Sequence, residues 1–98
     1  MAYEIEIVKI EDVDLSILES DKITDPYMSS FEFTRLIACR DLQLKNNADP
    51  LIDVEGESNT LEVARKELYA LVIPLVIQRT LPDGRTECWK VSELHIPD

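Results

Sequence analysis

Ser29 and Glu32 stand three residues apart at the head of a helical repeat, and this pair constrains the fold more than any other feature of the chain. A serine that accepts from the third helical N–H, answered by a glutamate that reaches back to the serine N–H, is a capping box. A helix is therefore expected over about residues 29–46. Phe33, Leu36, Ile37 and Leu44 recur at helical spacing and mark its apolar face. Arg35, Arg40 and Gln43 lie on or beside that face, where a merely amphipathic helix has no need of them. A guanidinium among leucines is costly unless it is hydrogen-bonded, and in so small a protein the expected source of carboxylates or carbonyls is another chain.

The other elements follow from local signals. Asn46-Asn47-Ala48-Asp49-Pro50 breaks the periodicity, and Leu51-Ile52-Asp53-Val54 reads as a short extended segment before a turn at Glu55-Gly56-Glu57-Ser58. Asn59 is an N-cap with Glu62 placed to complete its box, and Leu61, Ala64, Leu68 and Leu71 give a second helix, residues 60–72, its stripe. That helix ends before Pro74. Leu75-Val76-Ile77 is rich in β-branched residues, and Pro82-Asp83-Gly84 suits a tight turn, so a hairpin should join residues 75–81 to 86–91. Ser92-Glu93-Leu94 has room for one further helical turn. Residues 3–8 alternate apolar and acidic side chains like a strand with one buried face, although nothing nearby pairs with it. Glu11, Asp12 and Asp14, interleaved with aliphatics, suit either a segment ordered by a partner or a solvated acidic tail. The reading is an α+β fold in two parts: an acidic N-terminal arm over residues 1–23 and a folded domain over residues 24–98.

Charge and composition remove several functions. The net charge is −10, and residues 1–25 alone hold eight acids against two lysines. No cluster of Lys and Arg is present to neutralise phosphates, so work near DNA or RNA would pass through another protein. With two glycines, Gly56 and Gly84, neither a P-loop nor a dinucleotide fingerprint can be built. Asp53, Glu55 and Glu57 imitate a calcium loop, but its twelfth position falls on Ala64, within a helix. His95 has no serine or cysteine with which to couple, and Cys39 and Cys88 lack metal-site spacing, so neither catalysis, a metal nor a cofactor is expected. Isolated cysteines, no signal peptide and no run of roughly 20 apolar residues favour a reduced, intracellular protein without a membrane span. Phe31 suits either the core or an interface, and Trp89 suits packing against a helix. The apolar content, 45%, exceeds what two helices and a hairpin can cover. Some of it should meet a partner.

An ordered set of motifs carries a resemblance. It runs from Thr24-Asp25-Pro26-Tyr27-Met28-Ser29 through Phe31-Glu32, Arg35-Leu36-Ile37, Arg40 and Leu42-Gln43-Leu44. It continues through Ala48-Asp49-Pro50, Asp53-Val54-Glu55-Gly56-Glu57, Ala64-Arg65-Lys66-Glu67-Leu68, Ile73-Pro74-Leu75-Val76-Ile77-Gln78-Arg79, Leu81-Pro82-Asp83-Gly84 and Trp89-Lys90-Val91-Ser92-Glu93-Leu94. Over this span the chain resembles the omega-type small subunit of multisubunit RNA polymerases, called subunit K in archaea and the sixth, shared subunit of nuclear polymerases I, II and III. The resemblance implies a non-catalytic structural subunit of a DNA-directed RNA polymerase, a hetero-oligomer that clamps the largest subunit and promotes assembly. Phe31, Glu32, Arg35, Leu36, Arg40, Gln43, Leu44 and Pro74 would face that subunit. Replacing Arg40 and Gln43 should then weaken assembly and spare the fold. The acids Glu4, Glu6, Glu11, Asp12 and Asp14 would dock on polymerase core or a basic factor. Asp41 departs from the family's usual alanine, and the arm is shorter than the long acidic tails of nuclear homologues. Location follows the source: nucleus if eukaryotic, cytoplasm if archaeal, virion or viral factory if viral. The rival reading is a free-standing acidic regulator or nucleic-acid mimic that binds basic partners.

Overall fold

The alternating strand near the N-terminus finds its partner at the far end of the chain. In the computed structural model, which describes residues 3–97, Glu4–Lys9 form β1 and pair antiparallel with β2, Leu75–Thr80, with Glu4 opposite Thr80 and Lys9 opposite Leu75. β2 pairs in turn with β3, Thr86–Lys90, so the sheet order is β1-β2-β3 with β2 central. The hairpin therefore forms as expected, and β1 extends it to three strands. At its turn the Leu81 N–H donates to the Arg85 carbonyl at 2.8 Å, and Gly84 takes φ +91°, a value open to glycine at little cost.

Five helical elements accompany the sheet among the described residues. A 3-10 turn, Ile10–Asp12, leads to the short α1, Leu15–Glu19, whose N-cap Asp14 accepts from the Ser16 N–H at 2.9 Å. The Ser16 hydroxyl and amide together hold the Asp14 carboxyl below its usual range. α2, Ser30–Lys45, starts with the predicted box: Ser29 Oγ accepts from the Glu32 N–H at 3.0 Å, and Glu32 Oε1 accepts from the Ser29 N–H at 2.9 Å. α3, Thr60–Tyr69, is capped by Asn59, which accepts from the Leu61 N–H at 3.0 Å. Glu62 does not complete a box there, because the Asn59 N–H donates to Glu57 Oε1, which reaches it from two residues upstream at 2.9 Å. A single 3-10 turn, Val91–Glu93, closes the chain's regular structure.

α3 ends at Tyr69 rather than near residue 72, and the cause is backbone geometry. Leu71 takes φ 59°, its N–H donates to the Leu68 carbonyl at 2.9 Å, and the Val72 N–H reaches the Glu67 carbonyl at 3.3 Å. This is a Schellman ending with leucine in the left-handed position that glycine usually fills. α2 ends in the same motif with Asn47 at φ 71°, a residue that tolerates it better. Leu71→Gly is therefore expected to stabilise the chain by about 0.5–1 kcal/mol, since relief of left-handed strain exceeds glycine's entropic cost. A higher denaturation midpoint checks this; a lower one would show that the side chain's packing matters more than its backbone.

The two faces of the sheet are buried unequally. On one, Ile77 and Leu75 pack with Leu36 and Ile37 of α2 and Leu68 of α3, joined by Met28, Ile73, Val91 and Leu94. Fully burying each such side chain contributes roughly 1.5–3 kcal/mol, so this cluster dominates folding. On the other face Val76 and Cys88 are covered by Leu18 of α1, flanked by Val8, Ile10 and Val13. A third cluster, Leu44, Val63 and Ala64, joins α2 to α3 beneath Val54.

Candidate partner interface

Two buried guanidinium groups, Arg79 and Arg40, find their partners within the chain. Arg79, on β2, is fully buried and makes five hydrogen bonds: Nε and Nη2 to the Glu32 carboxylate at 2.8 and 2.9 Å, Nη1 to Thr24 Oγ1 and the Asp25 carbonyl at 3.0 and 2.8 Å, and Nη2 to the Tyr27 carbonyl at 2.9 Å. Its planar fork thus ties the start of α2 and the preceding segment to the sheet. Glu32 serves twice, capping α2 and neutralising Arg79. Tyr3 lies over the same guanidinium at 5.0 Å, and burial, followed by the neighbouring Glu32 charge, raises its hydroxyl above the ordinary value. β3 adds Glu87, a buried carboxylate that accepts from the Ile23 N–H at 2.6 Å and the Thr24 N–H at 3.2 Å. Burial alone would raise this carboxyl, but the Ile23 and Thr24 donors outweigh it and hold it below the usual range.

Arg40 is resolved in the same way. It is 5% exposed, and Nε and Nη2 donate to Glu67 of α3 at 2.5 and 3.2 Å, Nη1 to Gln43 Oε1 at 3.0 Å and Nη2 to the Asp49 carbonyl at 3.0 Å. Glu67 also accepts from the Leu51 N–H at 2.9 Å, so the pair fixes the connection between α2 and α3. The expectation that this guanidinium draws its partners from another chain is corrected: Glu67, one apolar stripe away on α3, supplies the charge. Among the described residues no buried side-chain nitrogen or oxygen lacks a hydrogen-bond partner.

The other proposed contact residues divide by burial. Glu32, Leu36 and Leu44 are inside, and half-buried Gln43 is engaged by Arg40. Phe31, 50% exposed, Arg35 and Pro74 face outward. Arg35 lies over the Phe31 ring at 5.7 Å, and helical spacing puts both on one stripe with Ala38 and with Leu42, which is 60% exposed. Beside that stripe, Arg35, Ala38, Cys39 and Leu42 form a groove of about 410 Å³ with Glu6 and Ile7 of β1. Sequence spacing alone could have found Leu42, since it repeats Phe31 and Arg35 at helical intervals, whereas the β1 wall of the groove depends on a long-range pairing. Glu4, Glu6, Glu11, Asp12 and Asp14 are all exposed, the first two on β1 and the last as the α1 cap. Among the described residues no three His, Cys, Asp or Glu side chains are grouped to hold a metal ion, and no helix is long and apolar enough to cross a membrane.

No family model matches the chain. Individual relatives do. The chain is 44% identical over 79 residues, 81% of its length, to the Schizosaccharomyces pombe protein "DNA-directed RNA polymerases I, II, and III subunit RPABC2", and 46% identical over the same share to its Saccharomyces cerevisiae counterpart. It spans about half the length of these two relatives, 56% and 51%. To the Arabidopsis thaliana "DNA-directed RNA polymerases II and V subunit 6B" it is 36% identical, with 95% of the chain and 72% of that protein aligned. The chain belongs to the RPABC2 family of RNA polymerase subunits. Within this family's resemblance Asp41 was the odd residue, and its role is local. Its carboxylate accepts from the Thr60 hydroxyl at 2.5 Å and pairs with Lys45 at 3.0 Å, which hold it below its usual range. It therefore joins α2 to the first residue of α3 in this member of the RPABC2 family.

Proposed function

We propose that the chain acts as a non-catalytic structural subunit of a DNA-directed RNA polymerase, clamping the largest subunit and promoting assembly of the core. The observation that carries this reading is the alignment with polymerase subunits over 81% of the chain. Burial along α2 supports a division of roles in this reading. Arg40, Glu32, Leu36 and Leu44 act in this reading as the frame that holds α2 in place. Phe31, Arg35 and Leu42 act as the docking stripe, with apolar area, a stacked cation able to meet a carboxylate, and a groove against β1. Exposed Pro74 contributes at the turn after α3. The acids Glu4, Glu6, Glu11, Asp12 and Asp14 supply a second, salt-sensitive contact to a basic surface of polymerase core. In a eukaryotic source the polymerase it joins would place it in the nucleus.

The stripe is tested with the doubly substituted Phe31→Ala, Leu42→Ala chain, co-expressed with the polymerase core. Truncating two exposed anchors should weaken incorporation by roughly thirtyfold or more, equivalent to about 2 kcal/mol. The thermal midpoint of the free chain should stay near that of the wild type. Full incorporation of the double variant would remove this stripe as the docking surface.

A further inference from the structure

Thr24 is a meeting point for three side chains from the sheet. Its hydroxyl donates to Glu87 Oε1 at 2.5 Å and accepts from Arg79 Nη1 and from Trp89 Nε1, each at 3.0 Å. Glu87, 6% exposed, also accepts from the Ile23 and Thr24 amides, so two consecutive residues supply these three bonds to the carboxylate. Upstream, the chain is held far more lightly. α1 has five residues, too few to persist without tertiary support, and only Leu18 is buried, while Leu15 is 62% exposed. Lys22 reaches back to the Leu18 and Ser20 carbonyls at 2.9 and 3.2 Å and lies over the Trp89 ring at 5.2 Å, linking α1 to the Thr24 cluster. Beneath lie Val76 and Cys88, a small apolar strip separate from the main core.

We propose that residues 10–24 form a strap that covers Val76 and Cys88 on one face of the sheet, ends at Glu87 on the opposite face, and opens as one unit while α2, α3 and the three strands stay folded, with the Thr24–Glu87 cluster as its latch. One end is fixed because β1 belongs to the sheet. The other is fixed chiefly by the carboxylate, so a change at Glu87 leaves a cover held by Leu18, Val13 and Ile10 and by the Arg79 and Trp89 donors on the Thr24 hydroxyl. Opening uncovers Val76 and the Cys88 thiol. This behaviour follows from the free chain's own packing and stands apart from the polymerase reading.

The experiment follows Cys88 as a reporter in the full chain. Thiol labelling is read by peptide mass spectrometry, which separates Cys88 from half-buried Cys39, alongside amide exchange in α2 and α3. Glu87→Gln replaces an acceptor facing the Ile23 N–H with a donor, and Leu18→Ala removes the main apolar anchor. Each should speed Cys88 labelling by about tenfold or more with α2 and α3 protection unchanged. Denaturant dependence in the wild type gives a second reading that needs no variant: Cys88 labelling should depend on denaturant less steeply than exchange in α2. Labelling that tracks α2 exchange at every denaturant concentration, or a rate unmoved by Glu87→Gln, would overturn the strap.

Discussion

Arg79→Ala is expected to remove about 4 kcal/mol of folding stability, because deleting one partner of a buried pair leaves the other charge without compensation. Here the abandoned groups are the Glu32 carboxylate, fully buried, and the Asp25 and Tyr27 carbonyls that the guanidinium satisfied. A domain of this size holds roughly 5–15 kcal/mol in total, so the loss is a large part of it. The thermal midpoint should fall by roughly 20 °C. Arg79→Lys should recover little, since a single ammonium cannot reproduce five directed donations. Thermal and urea denaturation followed by circular dichroism measure both variants. A loss below about 1 kcal/mol, the scale of an ordinary exposed ion pair, would contradict the position given to Arg79.

Arg40→Ala is expected to cost about 3 kcal/mol by the same mechanism, since Glu67 is then buried with only the Leu51 N–H left among its present donors. The informative companion is the double replacement Arg40→Met, Glu67→Leu. Exchanging both charges for apolar groups of similar volume removes the desolvation cost together with the attraction, so most of the loss should return. The cycle also separates two roles for Arg40. A residue serving chiefly an outside partner would lower incorporation into polymerase and leave the free chain's stability unchanged. A residue joining α2 to α3 lowers stability first. Unfolding of the single and double variants by urea decides between them.

The history of Arg40 shows where sequence reading stops. The Ser29–Glu32 box, the α2 repeat and the Pro82-Asp83-Gly84 turn are local patterns, and the structure places α2, β2 and β3 within a residue or so of where those patterns put them. The need of a buried guanidinium for acceptors was equally legible. Its supplier was not, because Glu67 lies on another helix and only the packing of α2 on α3 brings it within 2.5 Å. β1 failed to show a partner for the same reason: Ile7 pairs with Ile77 across nearly the whole chain. The early end of α3 has no sequence signal, because its left-handed residue is Leu71, where a glycine would mark the stop. The outward stripe was half legible. Phe31, Arg35 and Leu42 share a helical spacing that the sequence displays, whereas the Glu6 and Ile7 wall beside them depends on the pairing of β1 with β2.

In the proposed reading this chain is a stoichiometric structural subunit of an RNA polymerase. The decisive experiment is affinity purification of the tagged full chain from its own source, washed at moderate and then high salt. The two largest polymerase subunits should stay bound in stoichiometric amounts through the high-salt wash, because apolar docking through α2 survives screening while the acidic contacts fade. Recovery of the chain alone, or with basic proteins that leave as salt rises, would contradict it and favour an acidic regulator instead.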